Sequence, residues 1–115
     1  MPRAPAHRRI DLTNIAQDRK IAAKLRRGAW VLGVARRNLR RWMVRDGQKL
    51  RPVFQEWHLI LTRLSRAEIA EFLCSDTPMA RRLRQSSPFA GVLSAVERMA
   101  IRQRHEKTRI SKNAA

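Results

Sequence analysis

The chain has one cysteine, no tyrosine, three tryptophans, three phenylalanines, and nine acidic residues against 26 lysines and arginines. A lone Cys74 excludes a disulfide framework and any Cys-x-x-Cys site, and suits a reducing, cytoplasmic setting. No apolar run approaches the length of a membrane span. The basic N-terminus lacks the apolar stretch of a secretory signal. Pro2 and Pro5 keep its first nine residues from being the amphipathic helix of a mitochondrial presequence. β-Branched runs are few, and no hairpin dipeptide joins alternating segments, so a sheet protein is excluded. No internal repeat is visible.

The means of catalysis are missing too. His7, His58 and His105 lie far apart in the sequence. No Ser, His and Asp set, glycine-rich phosphate loop or His-Glu-x-x-His motif occurs. Most acids stand at helix caps or in first turns, and His and Cys never come at metal-ligand spacing. No enzyme, no metal, no cofactor and no small-molecule substrate is expected.

What the chain has is positive charge. The formal net charge is +17, and residues 1–51 carry +12 of it. Such an excess strains a small compact domain by self-repulsion unless polyanions are near. Nucleic acid is the first partner to expect, and an anionic membrane surface the second.

Apolar periodicity reads as helix from residue 11 to 105. Asp11 or Thr13 is placed to cap a first helix reaching Arg27, with Leu12, Ile15, Ala22 and Leu25 inward. Gly28 then serves as a C′ glycine that breaks the chain. A second helix spans 29–45, with Val31, Val34, Ala35 and Trp42 on its apolar face. Asp46-Gly47 marks a turn, 48–51 a short polar connection, and Pro52 a helix start. The helix 52–64 has the clearest stripe, Val53, Trp57, Ile60, Leu61 and Leu64, with Trp57 expected beside Trp42 or Trp30. His58 lies off that stripe and reads as a solvent-facing residue. Ser65 to Glu68 and Ser94 to Glu97 are capping boxes. The first opens a helix 66–73 with Ile69, Ala70, Phe72 and Leu73 inward. Asp76 or Thr77 caps a helix 78–85 with Ala80 and Leu83 inward. Ser86-Ser87-Pro88 breaks that helix, and 89–93 plugs the core. A last helix runs to about His105 with Val96, Met99 and Ala100 inward. The expected fold is all-α, a single orthogonal bundle of five or six short helices over 11–105. A basic flexible arm (1–10) precedes it and a polar tail (106–115) follows.

The second helix carries Arg36, Arg37, Arg40, Arg41 and Arg45 at spacings of one, three and four. Residues three and four apart on a helix are neighbours, so these guanidinium groups crowd together. Like charges so placed repel, and an anion would neutralise them. The expectation is a phosphate clamp, helped by Lys20, Lys24 and Arg27 from the first helix.

A further basic cluster lies in Leu64 to Arg84, LSRAEIAEFLCSDTPMARRLR. Ile69-Ala70 give an apolar residue followed by a small one, Leu73 precedes a turn, and Ala80 and Leu83 are inward. Ser65 and Glu68 open the segment. In these residues it resembles the helix-turn-helix of bacterial DNA-binding regulators, departing from it at Cys74, Ser75 and Pro78. The resemblance implies a regulator or antitoxin-like factor, usually dimeric, with Met79, Arg81, Arg82 and Arg84 on the groove and phosphate side. The alternative is a helical subunit of a nucleoprotein assembly. It would dock on a protein partner through 82–93 and hold RNA or DNA backbone with the arginine stripe.

Overall fold

The helix-forming stretches of the sequence are helices in the computed structural model, which describes residues 5–47 and 51–114, with side chains over 12–47 and 51–106. The elements are α1 (Pro5–Arg27), α2 (Trp30–Asp46), α3 (Pro52–Arg63), α4 (Arg66–Cys74), α5 (Pro78–Arg84) and α6 (Ala95–Ala114). No strand occurs among the described residues.

Both outer helices run further than periodicity suggests. α1 starts at Pro5, so neither Asp11 nor Thr13 caps it and residues 5–10 of the expected arm are helical. Proline is well suited to a first helical position, and alanine and arginine are strong helix formers. α6 continues through most of the expected tail, to Ala114. Residues 1–4 and 115 lie outside the described residues, as do 48–50 of the connection.

The caps follow the local chemistry. Ser65 accepts from the Glu68 amide at 3.1 Å and Glu68 accepts from the Ser65 amide at 2.9 Å. Ser94 and Glu97 do the same at 3.1 and 2.9 Å. Thr77, and not Asp76, caps α5, accepting from the Ala80 amide at 3.1 Å. Gly47 ends α2 with φ of 63°, a conformation that side chains disfavour. Gly28 does break the chain between α1 and α2, but without a positive φ. Its reason is space: a Cβ there would lie 2.8 Å from Trp30 Cδ1. The end of α1 is closed instead by Arg66, whose guanidinium donates to the Leu25 carbonyl at 3.4 Å.

The core centres on Trp57, which is wholly buried. Its ring meets Phe72 and Phe89 edge-on at 5.8 and 6.0 Å, and its indole N–H donates to the Leu83 carbonyl at 3.0 Å. Neither Trp42 nor Trp30 packs on it. Trp42 stacks on Phe54 at 5.6 Å, and Trp30 is exposed. Around Trp57 gather Leu25 of α1, Val31 and Leu39 of α2, Ile69 and Leu73 of α4, and Leu83 of α5. The loop 86–93 plugs one side with Pro88, Phe89, Val92 and Leu93, all buried. α1 lies chiefly along α4.

Three inward faces differ from the expected ones. On α3, Phe54 is buried while Val53 and Leu64 are half-buried. On α6, Val96 and Met99 are 77% and 57% exposed, Ala100 is exposed, and Ile101 is buried. The half-buried Glu97, held by lysines of α1, turns the 97–101 line inward and sends 96, 99 and 100 outward. Leu12 likewise is 48% exposed, and the inward face of α1 runs through Asp18, Ile21, Ala22 and Leu25.

Candidate nucleic-acid interface

The arginines of α2 are spread over its solvent half rather than one narrow face. At 3.6 residues per turn, Arg36 and Arg40 fall on one flank and Arg37, Arg41 and Arg45 on the other. All five are exposed. The buried half is made by Val31, Leu32, Ala35, Asn38 and Leu39. Sequence reading misses Asn38, a polar residue amid arginines that looks solvent-facing. It is 6% exposed and donates to the carbonyls of Pro88 and Ala90, each at 2.8 Å. Its own carbonyl accepts from Arg41. The helix that bears the arginines is therefore fastened to the core-plugging loop at the edge of its buried half.

Within the stripe, Arg36 reaches across to the Leu61 carbonyl at the end of α3, at 3.4 Å. Positive charge is favourable beside the last carbonyls of a helix. Arg37, Arg40 and Arg45 meet no acidic side chain among the described residues. Arg36 and Arg40 also edge an apolar groove of about 600 Å³ between α2 and α3, floored by Leu39, Met43 and Leu61.

The other basic residues that the sequence puts forward are differently placed. Lys24 lies 2.8 Å and Lys20 3.5 Å from the Glu97 carboxylate. The hydrogen bond from Lys24, followed by that from the Ser94 amide, pulls the Glu97 carboxyl down to about 2. These lysines join α1 to α6. Arg27 is exposed at the α1 terminus.

On α5, Arg82 forms a two-pronged pair with Glu56 at 2.8 and 3.1 Å. Arg81 pairs with Asp76 at 2.7 Å. The Glu56 and Asp76 carboxyls are held below their usual range, each chiefly by the hydrogen bond from its arginine. Arg84 turns inward with its side chain 12% exposed, 3.5 Å from Asp18, and donates to the Leu73 and Ser75 carbonyls at 3.0 and 2.5 Å. It ties α5 to α1 and to the end of α4. Burial pushes the Asp18 carboxyl up to about 6, against the pull of Arg84. Nothing in the sequence pairs residues 18 and 84, which are far apart along it.

The two halves of the basic surface thus differ in kind. Lys20, Lys24, Arg81, Arg82 and Arg84 have carboxylate partners, whereas Arg37, Arg40 and Arg45 on the solvent half of α2 meet none among the described residues. The apolar side chains of 82–93 face the core, which leaves Ala90 and Gly91 as the exposed tip of that loop. Among the described residues no three His, Cys, Asp or Glu side chains are grouped to hold a metal. No helix there is long and apolar enough to cross a membrane. No known protein family, curated protein or solved structure matches the chain.

Proposed function

We propose that the protein is a non-catalytic nucleic-acid-binding protein that grips the phosphate backbone through α2. The observation that carries this reading is the set Arg37, Arg40 and Arg45, spread over the solvent half of α2, exposed and without acidic partners among the described residues on a helix whose other half is buried in the core. Guanidinium groups bind phosphate oxygens with two parallel hydrogen bonds, and phosphates relieve the repulsion within the set. Arg36 and Arg41 belong to the same basic half, each with one internal hydrogen bond. Arg27 extends it toward the end of α1. Lys20, Lys24 and Arg84 hold the fold together and stand outside the clamp. An exposed, solitary Cys74 suits a cytoplasmic setting.

A salt series on random duplex DNA tests the clamp. Each phosphate neutralised contributes about −0.9 to the log–log slope of affinity against salt, so Arg37→Gln/Arg40→Gln/Arg45→Gln should make the slope shallower by about 2 to 3. The loss should be alike on all sequences. An unchanged slope in that variant would remove α2 from the interface.

A second reading keeps the helix-turn-helix in α4 and α5. In its support, a three-residue turn joins the two helices, and Ile69, Ala70, Leu73, Ala80 and Leu83 are all buried. Met79, Arg81 and Arg82 are then the outward side chains of the second helix. The carboxylates already on Arg81 and Arg82 rank it behind the α2 clamp.

A further inference from the structure

Five of the six aromatic residues are buried or half-buried, and Trp30 is 55% exposed. A large flat ring left in the open can take a stacked partner on its face. Its setting is specific. Trp30 is the first residue of α2, and its indole leans back over the break between helices. The edge carrying Cδ1 and Nε1 rests where Gly28 has no side chain, since a Cβ there would lie 2.8 Å from one atom and 3.1 Å from the other. The glycine thus provides a seat for the ring and leaves much of it open to solvent.

The seat stands at the head of the arginine row. On a helix, positions 30, 37, 41 and 45 fall within about 80° of one another. Arg37 lies about 10 Å along the axis from Trp30, and Arg41 and Arg45 follow at steps of about 6 Å. Arg27, also exposed, precedes the ring at the end of α1. An open aromatic face followed by a line of guanidinium groups is the combination that holds unpaired nucleic acid, with a base stacked on the ring and the backbone tracked by the cations. A duplex keeps its bases stacked on one another and offers this ring nothing but its edge.

We infer that Trp30 is a base-stacking platform and that the preferred ligand of the α2 face is a single strand. This rests on the phosphate-clamp reading of α2 and adds the ligand class to it. The arginines supply binding that any polyanion shares, and Trp30 supplies the preference for unpaired bases.

The test compares a fluorescently labelled deoxythymidine oligomer with random duplex DNA. Trp30→Ala should weaken binding of the oligomer about 5- to 150-fold, the range for losing one stacked base, and leave duplex binding unchanged. Trp30→Phe should keep much of the oligomer affinity. Trp30→Leu, which retains apolar surface without a π-face, should behave like Trp30→Ala and guards against a folding defect in the latter. In a Trp42→Phe background, the oligomer should quench the exposed indole while the buried Trp57 stays bright.

Oligomer affinity unchanged in both Trp30→Ala and Trp30→Leu would overturn the platform. So would shielding of the indole from a soluble quencher that grows with protein concentration in the absence of nucleic acid, because a second copy of the chain would then cover the ring. The clamp is judged separately. If the triple arginine variant keeps the wild-type salt slope, the α2 reading itself has failed. If that variant loses affinity while Trp30→Ala does not, the platform alone is wrong.

Discussion

Asn38, on the helix that carries the arginine row, donates to the Pro88 carbonyl at 2.8 Å, in the loop that closes the core. The same amide nitrogen serves the Ala90 carbonyl at 2.8 Å, so one buried side chain satisfies two main-chain acceptors. Arg41 in turn donates to the Asn38 carbonyl, and the exposed face and the core are joined through this residue.

Asn38→Ala should therefore cost roughly 2–3 kcal/mol, because it removes two hydrogen bonds and strands a buried carbonyl. Chemical denaturation measures it. A loss below about 1 kcal/mol would mean that Phe89, Val92 and Leu93 hold the loop by apolar burial alone. The arginines remain, so the salt dependence of nucleic-acid binding should not move.

Stability should pass through a maximum in mild acid. Burial raises the Asp18 carboxyl from 3.8 to about 6. Between those values the native protein keeps a proton that the unfolded chain has released, so stability falls as pH rises and levels off above 6. The fall should amount to roughly 3 kcal/mol. Glu97 acts in the opposite sense. Lowered from 4.5 to about 2, it contributes stability that is present above 4.5 and is lost as pH falls toward 2. Glu56, Glu68 and Asp76, each lowered by a hydrogen bond, strengthen the same acid limb. Asp18→Asn should flatten the decline between 3.8 and 6 and keep the acid limb. Denaturant unfolding at a series of pH values decides it, and a wild-type curve that climbs throughout that window would refute the role given to Asp18.

Trp57→Ala should cost roughly 3–5 kcal/mol, the range for emptying a buried aromatic site. Trp57 is wholly buried between Phe72 and Phe89. Trp57→Phe should cost less, since the ring contacts survive while the hydrogen bond to Leu83 is lost. A melting temperature close to wild type in Trp57→Ala would contradict this core.

The all-helical fold was legible because its signals are local. Ser65 with Glu68, Ser94 with Glu97, Pro52 and Pro78 at first turns, and the Trp57 stripe all act within a few residues of themselves. What was not legible depends on residues distant in sequence. Trp57 meets Phe89 and not Trp42 because the 86–93 loop enters the core, a placement set by Asn38 from 50 residues away. The inward face of α6 follows Glu97 because Lys20 and Lys24 face it from α1, and no periodicity within 95–105 contains that information. The arginine helix was readable as basic. Which of its neighbours are already neutralised was not, because ion pairs such as Arg82 with Glu56 and Arg84 with Asp18 form only in three dimensions.

Those ion pairs bear on how α5 could meet DNA. A recognition helix must present side chains to base edges, and discrimination is lost selectively when they are removed. Arg81 and Arg82 are exposed but held by Asp76 and Glu56, and Arg84 is turned inward against Asp18. To meet bases, Arg81 and Arg82 must first leave their carboxylates, which costs part of whatever they gain. If the phosphate clamp on α2 is the binding surface, Arg81→Ala and Arg82→Ala should change affinity only slightly, and by the same factor on a selected duplex as on random duplex. The larger effect of Arg82→Ala should be a small loss of stability from freeing Glu56, because an exposed ion pair contributes little. Selecting preferred duplexes from a random pool and measuring both variants on the winners makes the comparison. A loss of tenfold or more confined to the preferred duplex would place α5 in the major groove, and the helix-turn-helix would then displace α2 as the principal contact.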